Sequence, residues 1–336
     1  MRAIVFAYHN MGIVGIRALL DHGFTVPMVL SHEDDPGENR WFGSVAEFCR
    51  ERGIPVHTPK DVNAPPWPDR IRAASPDLLF SFYYRSLLKK EILEIPPLGA
   101  MNLHGSLLPK FRGRAPINWV LLKGETETGV TLHFMTEKPD AGDIVGQAAV
   151  PIAPDDTALT LFGKMESAAS RLLADLLPRI ANGDIPRRPN DVAHGSYFGG
   201  RRPEDGRIDW SRPAMEIYNL VRAVTRPYPG AFTELAGDKL TVWWAIPLAG
   251  ATEPGASPPA PAPGHPWPPP GTIRVSGGPS YAMAGGCVAP VSGPRRVVVG
   301  TGEGWLQLEE IEWRSRTAKG EAIVDLLAGS ANGRFS

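Results

Sequence analysis

Two kinds of apolar segment alternate over the first half of the chain. Short runs such as Ala3–Tyr8 and Asp77–Phe82 have the composition of buried strands, whereas Ile13–Leu20 repeats its apolar residues with the period of a helix. Strands that alternate with helices predict a mostly parallel sheet with helices on both faces. This alternation limits the fold more than any other feature, and it predicts a Rossmann-like α/β domain over residues 1–185.

The other elements of this half follow from the same periodicities. Further strands are predicted at Phe24–Leu30, Ile54–His57, Ala100–His104, Gly129–Met135 and Ile144–Ile152. Further helices are predicted at Val45–Glu51, Trp67–Ala74, Leu87–Leu93, Ala115–Leu122 and Ala158–Ile180.

The pattern changes after residue 185. Residues 186–212 are predicted to be a linker, and residues 213–315 a small OB-like β-barrel domain that begins with one helix, Pro213–Val224. Short strands punctuated by Gly and Pro support the barrel; they are Ala231–Glu234, Leu240–Ala245, Gly271–Val275, Arg295–Gly300 and Trp305–Trp313. Residues 250–270 are dense in Pro and predict a mobile loop. Residues 316–336 are predicted to be a tail with one short helical patch, Ala322–Leu327.

The composition limits the class of protein. Lys and Arg number 35 and Asp and Glu 36, a balance that does not indicate a nucleic-acid binder. The two cysteines, Cys49 and Cys287, lack the spacing of a metal site or a disulfide framework, which favours a reducing cytoplasm and no metal. Met1–Phe6 reads as a strand rather than a signal peptide, and no apolar run is long enough for membrane insertion.

Two polar side chains end an otherwise apolar strand. Side chains alternate along a strand, so Asn102 and His104 are predicted to share a face, at the sheet edge where open α/β folds bind ligands. An asparagine amide can donate to an oxyanion, and an imidazole can carry a proton near neutral pH. Asp140 follows a later strand and can orient His104 and raise its pKa. The alternatives are a polar pair that caps a strand and an ordinary turn aspartate.

Basic residues precede the helix that is predicted to start at Ala115. Helix N-termini attract anions, so Arg112 and Arg114 predict a phosphate or carboxylate site, and the alternative is a solvated basic loop. Arg201 and Arg202 are further candidates for contact with a substrate anion.

Several runs of residues carry a family resemblance. They are Phe6–His9, Asn39–Ala46, Ser81–Arg85, Asn102–Pro109, Phe111–Trp119, Gly124–His133, Asp140–Gly142 and Ile152–Asp156. On these runs the chain resembles the 10-formyltetrahydrofolate-dependent formyltransferases. It is most similar to the formyltransferase domain of the bifunctional UDP-4-amino-4-deoxy-L-arabinose formyltransferase/UDP-glucuronic acid decarboxylase, chiefly through Gly113–Trp119. The decarboxylase half has no counterpart here, and residues 250–270 do not match.

The resemblance implies a site and a reaction. Asn102, His104 and Asp140 fall on the catalytic positions, and the folate-binding positions are Ser86, Leu87, Leu88, Arg114, Thr136, Glu137, Lys138, Pro139 and Asp140. The implied reaction transfers a formyl group from the co-substrate 10-formyltetrahydrofolate to the 4-amino group of a nucleotide sugar, without a metal. The implied pathway is the modification of lipid A in lipopolysaccharide, which is linked to antibiotic resistance. The implied partners are the nucleotide sugar and the folate, with homo-oligomer formation left open.

Three alternatives remain at this point. Methionyl-tRNA formyltransferase and other nucleotide-sugar N-formyltransferases share the chemistry, although the near-neutral charge argues against the tRNA enzyme. A nucleotide-binding oxidoreductase is more remote, because Gly12 and Gly15 do not complete the dinucleotide fingerprint.

Overall fold

The computed structural model describes residues 1–34, 39–248, 269–276, 279–284, 287–292 and 294–328. The chain divides into two compact units. The first contains Met1–Trp119, Thr126–Pro154 and Leu159–Gly200, and the second contains Val120–Glu125, Asp155–Ala158 and the chain from Arg201 onward. The predicted mobile loop falls on residues that lie mostly outside the described ranges.

The amino-terminal half alternates strands and helices, as the periodicity predicts. Its strands are β1 (Ala3–Ala7), β2 (Val29–Leu30), β3 (Val56–His57), β4 (Leu78–Phe82), β5 (Ala100–His104), β6 (Arg112–Gly113), β7 (Glu127–Phe134), β8 (Ile144–Pro151) and β9 (Tyr197–Phe198). Its helices are α1 (His9–Asp21), α2 (Val45–Arg50), α3 (Trp67–Ala73), α4 (Lys90–Leu93), α5 (Pro116–Leu122) and α6 (Ala158–Ala181).

Seven strands form one sheet in the order β3-β2-β1-β4-β5-β7-β8. The strands from β3 to β5 pair in parallel, and β7 and β8 extend the sheet in the antiparallel direction. All five residues of β1 and of β4 are buried, which is the pattern of strands covered on both faces. The predicted α/β fold with a mostly parallel sheet is therefore confirmed.

Helix α1 packs closely on the sheet because a glycine faces it. A Cβ atom added at Gly15 would lie 2.3 Å from the ring of Phe82 on β4. Helix α2 begins at a side-chain cap, because the hydroxyl of Ser44 accepts a hydrogen bond from the Glu47 amide at 3.2 Å. The first contact holds α1 against the sheet, and the second fixes the start of α2.

Among the predicted elements that are shorter in the structure, two have an identifiable cause. The strand predicted at Phe24–Leu30 is regular only at Val29–Leu30, because Pro27 supplies no N–H for the ladder. The helix predicted at Leu87–Leu93 begins only at Lys90. Its first residues are held in an irregular conformation by Asn63, whose side chain donates to the Leu87 carbonyl at 2.9 Å and accepts from the Lys89 amide at 2.8 Å.

The second unit contains an antiparallel sheet. Its helices are α7 (Ala214–Val224) and α8 (Ala322–Leu327), and its strands are β10 (Ala231–Leu235), β11 (Asp238–Pro247), β12 (Ile273–Ser276), β13 (Pro279–Ala284), β14 (Cys287–Ser292), β15 (Arg296–Gly300), β16 (Trp305–Trp313) and β17 (Arg316–Lys319). The sheet runs in the order β10-β11-β16-β15-β12, β17 adds to β16, and β13 and β14 form a separate hairpin. The β13–β14 hairpin and β17 were missed by the sequence prediction, whereas β16 and α8 have the predicted bounds.

Candidate active site

The site lies where β5 and β7 pair. Asn102 of β5 stands opposite His133 of β7 in the antiparallel register, and His104 stands opposite Thr131. Polar side chains on two neighbouring strands therefore meet at one end of β5. His133 was not predicted as a site residue, although its alternation with Thr131 across the apolar Leu132 is visible in the sequence.

Asp140 joins the two imidazoles. Its Oδ1 atom lies 3.5 Å from His104 Nδ1 and 3.5 Å from His133 Nε2. Its Oδ2 atom accepts a hydrogen bond from the Gly113 amide at 2.8 Å. The Asn102 amide nitrogen lies 3.2 Å from His133 Nε2. The three residues predicted to be catalytic thus form one connected cluster, with His133 as its fourth member.

Backbone carbonyls fix which imidazole nitrogens carry hydrogen. His104 Nε2 lies 2.8 Å from the Phe111 carbonyl and His133 Nδ1 lies 2.8 Å from the Phe134 carbonyl. A carbonyl oxygen can only accept, so these two nitrogens must be the donors. His133 Nε2 is then the acceptor for the Asn102 amide, and a neutral His104 presents the lone pair of Nδ1 to Asp140. An amide has two N–H groups, so Asn102 retains a second donor for a substrate oxygen.

Burial and charge set the protonation states of the central pair. Burial raises the pKa of Asp140, but the His104 and His133 imidazoles and the Gly113 amide outweigh it, and the pKa lies well below its usual range. Burial lowers the pKa of His104 by more than the Asp140 carboxylate and the Phe111 carbonyl raise it. Asp140 raises the pKa of His104, as predicted, but burial outweighs this effect and the net shift is downward. At neutral pH the pair is an ionised carboxylate beside a neutral imidazole.

The predicted basic loop forms a strand instead. Arg112 and Gly113 are β6, which pairs in parallel with Tyr197 and Phe198 of β9. The Arg112 side chain is buried, and one of its terminal nitrogens donates to the Val192 carbonyl at 3.4 Å. Arg114 is exposed, and its backbone amide donates to the Phe198 carbonyl at 3.0 Å. Of the two arginines, Arg114 is the one whose charge is accessible.

The predicted folate-binding residues occupy two segments of the first unit. The first segment follows β4, where Ser86 and Leu87 are exposed and Leu88 is buried in the core. The exposed fraction of Leu87 is 67%, an unusual value for a large apolar residue. The second segment leads from β7 to Asp140 and contains Thr136, Glu137, Lys138 and Pro139, of which the first three are exposed.

Arg201 and Arg202 belong to the second unit. The Arg201 guanidinium donates to the Asp205 carbonyl at 2.8 Å, and the Arg202 amide donates to the Asp205 carboxylate at 2.7 Å. These bonds shape a short turn at Pro203–Gly206.

Two properties of the described residues bear on other functions. They contain no group of three or more His, Cys, Asp and Glu side chains that could hold a metal ion. Within the same ranges, none of the helices combines the length and apolar character that a bilayer crossing requires.

Comparison with protein families decides the class of enzyme. Residues 15–177 match the formyl transferase family, and residues 201–325 match the formyl transferase C-terminal domain. The chain belongs to the formyltransferase family. The enzyme is therefore a formyltransferase, as the sequence predicted.

Solved structures with the same fold include sugar-modifying enzymes. WlaRD, a sugar 3N-formyl transferase crystallised in the presence of dTDP and 5-N-formyl-THF, is 16% identical with a TM-score of 0.61, covering 94% of this chain and 98% of its own. The N-formyltransferase from Helicobacter canadensis, in complex with folinic acid and dTDP-3-aminofucose, is 18% identical with a TM-score of 0.61, covering 91% and 98%. A sugar N-formyltransferase from Shewanella sp. FDAARGOS_354 is 17% identical with a TM-score of 0.59, covering 72% and 96%. At these sequence identities the similarity shows a shared fold and nothing more specific.

Proposed function

We propose that this formyltransferase moves the formyl group of 10-formyltetrahydrofolate to the 4-amino group of a nucleotide sugar, and that the sugar is UDP-4-amino-4-deoxy-L-arabinose. The cluster of Asn102, His104, His133 and Asp140 carries the proposal. It combines an amide donor, a neutral imidazole and an ionised carboxylate, which are connected through contacts of 3.2 Å to 3.5 Å. Formyl transfer to an amine requires these three functions.

The cluster supplies the chemical steps in order. The sugar amine attacks the formyl carbon, and the formyl oxygen becomes an oxyanion that the second N–H of Asn102 can stabilise. One such donor is typically worth about a hundred- to a thousandfold in rate. His104 Nδ1 accepts the proton that the amine loses, and Asp140 stabilises the resulting imidazolium from 3.5 Å. Return of this proton to the folate nitrogen completes its departure as the leaving group.

The folate side of the site is proposed around Leu87 and Arg114. An apolar side chain that is 67% exposed suits the flat face of a pterin ring. The exposed guanidinium of Arg114 suits a carboxylate of the folate. The segment from Thr136 to Pro139 leads directly into Asp140, so bound folate would lie next to the catalytic carboxylate.

Two observations support a nucleotide sugar as the acceptor. The run Gly113–Trp119 resembles the enzymes that act on UDP-4-amino-4-deoxy-L-arabinose. The structural relatives at TM-scores of 0.61 are a sugar 3N-formyl transferase and an N-formyltransferase in complex with a dTDP-aminosugar. The second observation favours dTDP-3-amino sugars as the alternative acceptors. Initiator tRNA is the acceptor of the remaining alternative enzyme, and the near-neutral charge argues against it.

The test is a panel of acceptors under one set of conditions. Purified protein and 10-formyltetrahydrofolate are mixed with one acceptor in each reaction. The acceptors are UDP- and dTDP-linked 3-amino and 4-amino sugars and methionyl initiator tRNA. Mass spectrometry of the acceptor detects the added formyl group. We expect the highest kcat/KM with UDP-4-amino-4-deoxy-L-arabinose and none with the tRNA.

A variant and a rival acceptor complete the design. The His104→Ala protein should form no product with any acceptor, which excludes formylation by a contaminant. A preference for a dTDP-3-amino sugar would contradict the proposed acceptor while leaving formyl transfer intact. Product with the tRNA alone would overturn the sugar assignment.

A further inference from the structure

A segment far along the chain crosses the loops that carry the site. We call residues 188–199 the strap. At one end it pairs with β8, where the Ile144 amide donates to the Arg188 carbonyl at 2.8 Å and the Arg188 amide donates back at 3.0 Å. At the other end its strand β9 pairs with β6. The strap is therefore anchored at both of its ends.

Asn190 braces the turn that contains Asp140. Its amide nitrogen donates to the Asp140 carbonyl at 3.1 Å and to the Gly142 carbonyl at 3.2 Å. Asp140 has a φ of +50°, in the left-handed region that residues with a side chain seldom occupy. Such a conformation persists only when its surroundings hold it, and the two bonds from Asn190 do so.

Ser196 holds the backbone of Phe111 in the same way. Its hydroxyl accepts a hydrogen bond from the Phe111 amide at 2.8 Å, and its carbonyl accepts one from the Arg112 amide at 3.0 Å. Phe111 also has a left-handed φ, of +55°. The carbonyl of this residue is the acceptor for His104 Nε2. The strap thus holds both of the strained residues that present a hydrogen-bonding or charged partner to His104.

We infer that Asn190 and Ser196 are positioning residues, which act through Asp140 and Phe111 to fix the orientation and charge of the His104 imidazole. For catalysis the inference rests on the proposed function, because the consequence for turnover applies only to formyl transfer. Neither side chain belongs to the residues proposed to bind folate or sugar. Their loss should therefore reduce turnover rather than substrate affinity.

The test measures first the pKa of the His104 imidazole and then the kinetics of formyl transfer. The variants are Asn190→Ala and Ser196→Ala. Their matched controls are Asn182→Ala and Ser167→Ala, which remove the same side chains from exposed positions at the end of α6 and on its surface. NMR titration of labelled histidine gives the pKa of His104 in each folded protein. Both the Asp140 carboxylate and the Phe111 carbonyl raise this pKa, so we expect it to fall in both strap variants and to stay unchanged in both controls.

Kinetics with the acceptor that the wild-type protein uses give the second readout. We expect kcat to fall about a hundredfold, as for a displaced catalytic group, while both KM values change by less than about threefold. Asn190→Gln keeps the two N–H donors and should recover part of the loss. If the wild-type protein formylates no acceptor, the proposed function fails, and the titration still decides the positioning role. An unchanged pKa of His104 in both strap variants would overturn the inference. If Asn190→Ala does not fold, the result for Ser196→Ala, which loses only one hydroxyl, decides alone.

Discussion

Replacement of Asp140 by asparagine is the sharpest test of the cluster. The substitution preserves the shape of the side chain and an oxygen that can accept from the Gly113 amide, a bond of 2.8 Å in the structure. It removes the negative charge 3.5 Å from His104 Nδ1. The new amide can donate to that nitrogen, which favours the neutral imidazole. Asp140→Asn therefore separates the charge of the carboxylate from its geometry.

The distance between Asp140 and His104 sets the expected loss of kcat. The Asp140 side chain is 12% exposed and that of His104 is 7% exposed. Two unit charges 3.5 Å apart interact by about 5 kcal/mol at an effective dielectric constant of about 20. A rotation that turns the amide oxygen toward Nδ1 would recover part of this attraction in the variant, at the cost of the bond from the Gly113 amide. If roughly half is lost from the imidazolium that forms during transfer, kcat falls about a hundredfold.

The pH dependence of activity reveals the direction in which the substitution shifts the pKa of His104. In the proposed mechanism His104 must be neutral to accept a proton, so activity is lost as pH falls through its pKa. Burial already places that pKa below 6.5, and Asp140 partly offsets the shift. Asp140→Asn removes the offset, so the pKa falls and the acid limb of the kcat/KM profile moves to lower pH.

The assay is formyl transfer from about pH 8 down to the lowest pH at which the protein stays folded, because the pKa of His104 lies below the usual histidine range. Asp143→Asn is the matched control, because Asp143 is a partly exposed neighbour that pairs with Arg187 at 3.2 Å. The control should keep the wild-type profile. A wild-type kcat together with an unmoved acid limb in Asp140→Asn would refute the role of the carboxylate.

Three further predictions concern other parts of the site. Asn102→Ala should lower kcat by about a hundredfold or more without a change in the melting temperature, and retention of wild-type turnover would contradict its role at the oxyanion. Arg114→Ala should raise the KM for 10-formyltetrahydrofolate about tenfold, whereas Arg171→Ala on the exposed side of α6 should not; an effect on the sugar KM alone would move Arg114 to the acceptor site. Gly113→Ala should lower the free energy of unfolding by about 2 kcal/mol or more, because φ is +97° and the new Cβ would lie 2.2 Å from the Phe198 carbonyl. Gly199→Ala, whose Cβ would meet nothing within 4 Å, is its control in denaturant unfolding, and equal stabilities would contradict the packing argument.

Local patterns predicted much of the fold because they reflect local physics. The alternation in Trp305–Trp313 gave the bounds of β16, and the long apolar period after residue 157 gave all but the last residue of α6. The prediction failed where a distant side chain decides the backbone. Nothing within Leu87–Leu93 reveals that Asn63 holds Leu87 out of a helix.

The same distinction separates the site residues that the sequence could predict from those that it could not. Asn102 and His104 could be placed together because both lie on one strand, and alternation alone sets their face. The contribution of His133 depends on the register between β5 and β7, which the sequence of either strand leaves open. The strap is harder still, since Asn190 lies 50 positions from Asp140 and contacts its backbone rather than a recognisable partner.

The opposite pKa shifts of Asp140 and His104 suit the proposed order of proton movements. The amine loses a proton as it attacks the formyl carbon, and His104 can accept that proton only if it is neutral at rest. Burial ensures this by lowering the pKa of His104. The same burial excludes water from the space between Nδ1 and the carboxylate, so their attraction strengthens once the proton has moved. Burial therefore disfavours the imidazolium before the reaction, and the ionised Asp140, 3.5 Å away, recovers part of that cost as the charge forms.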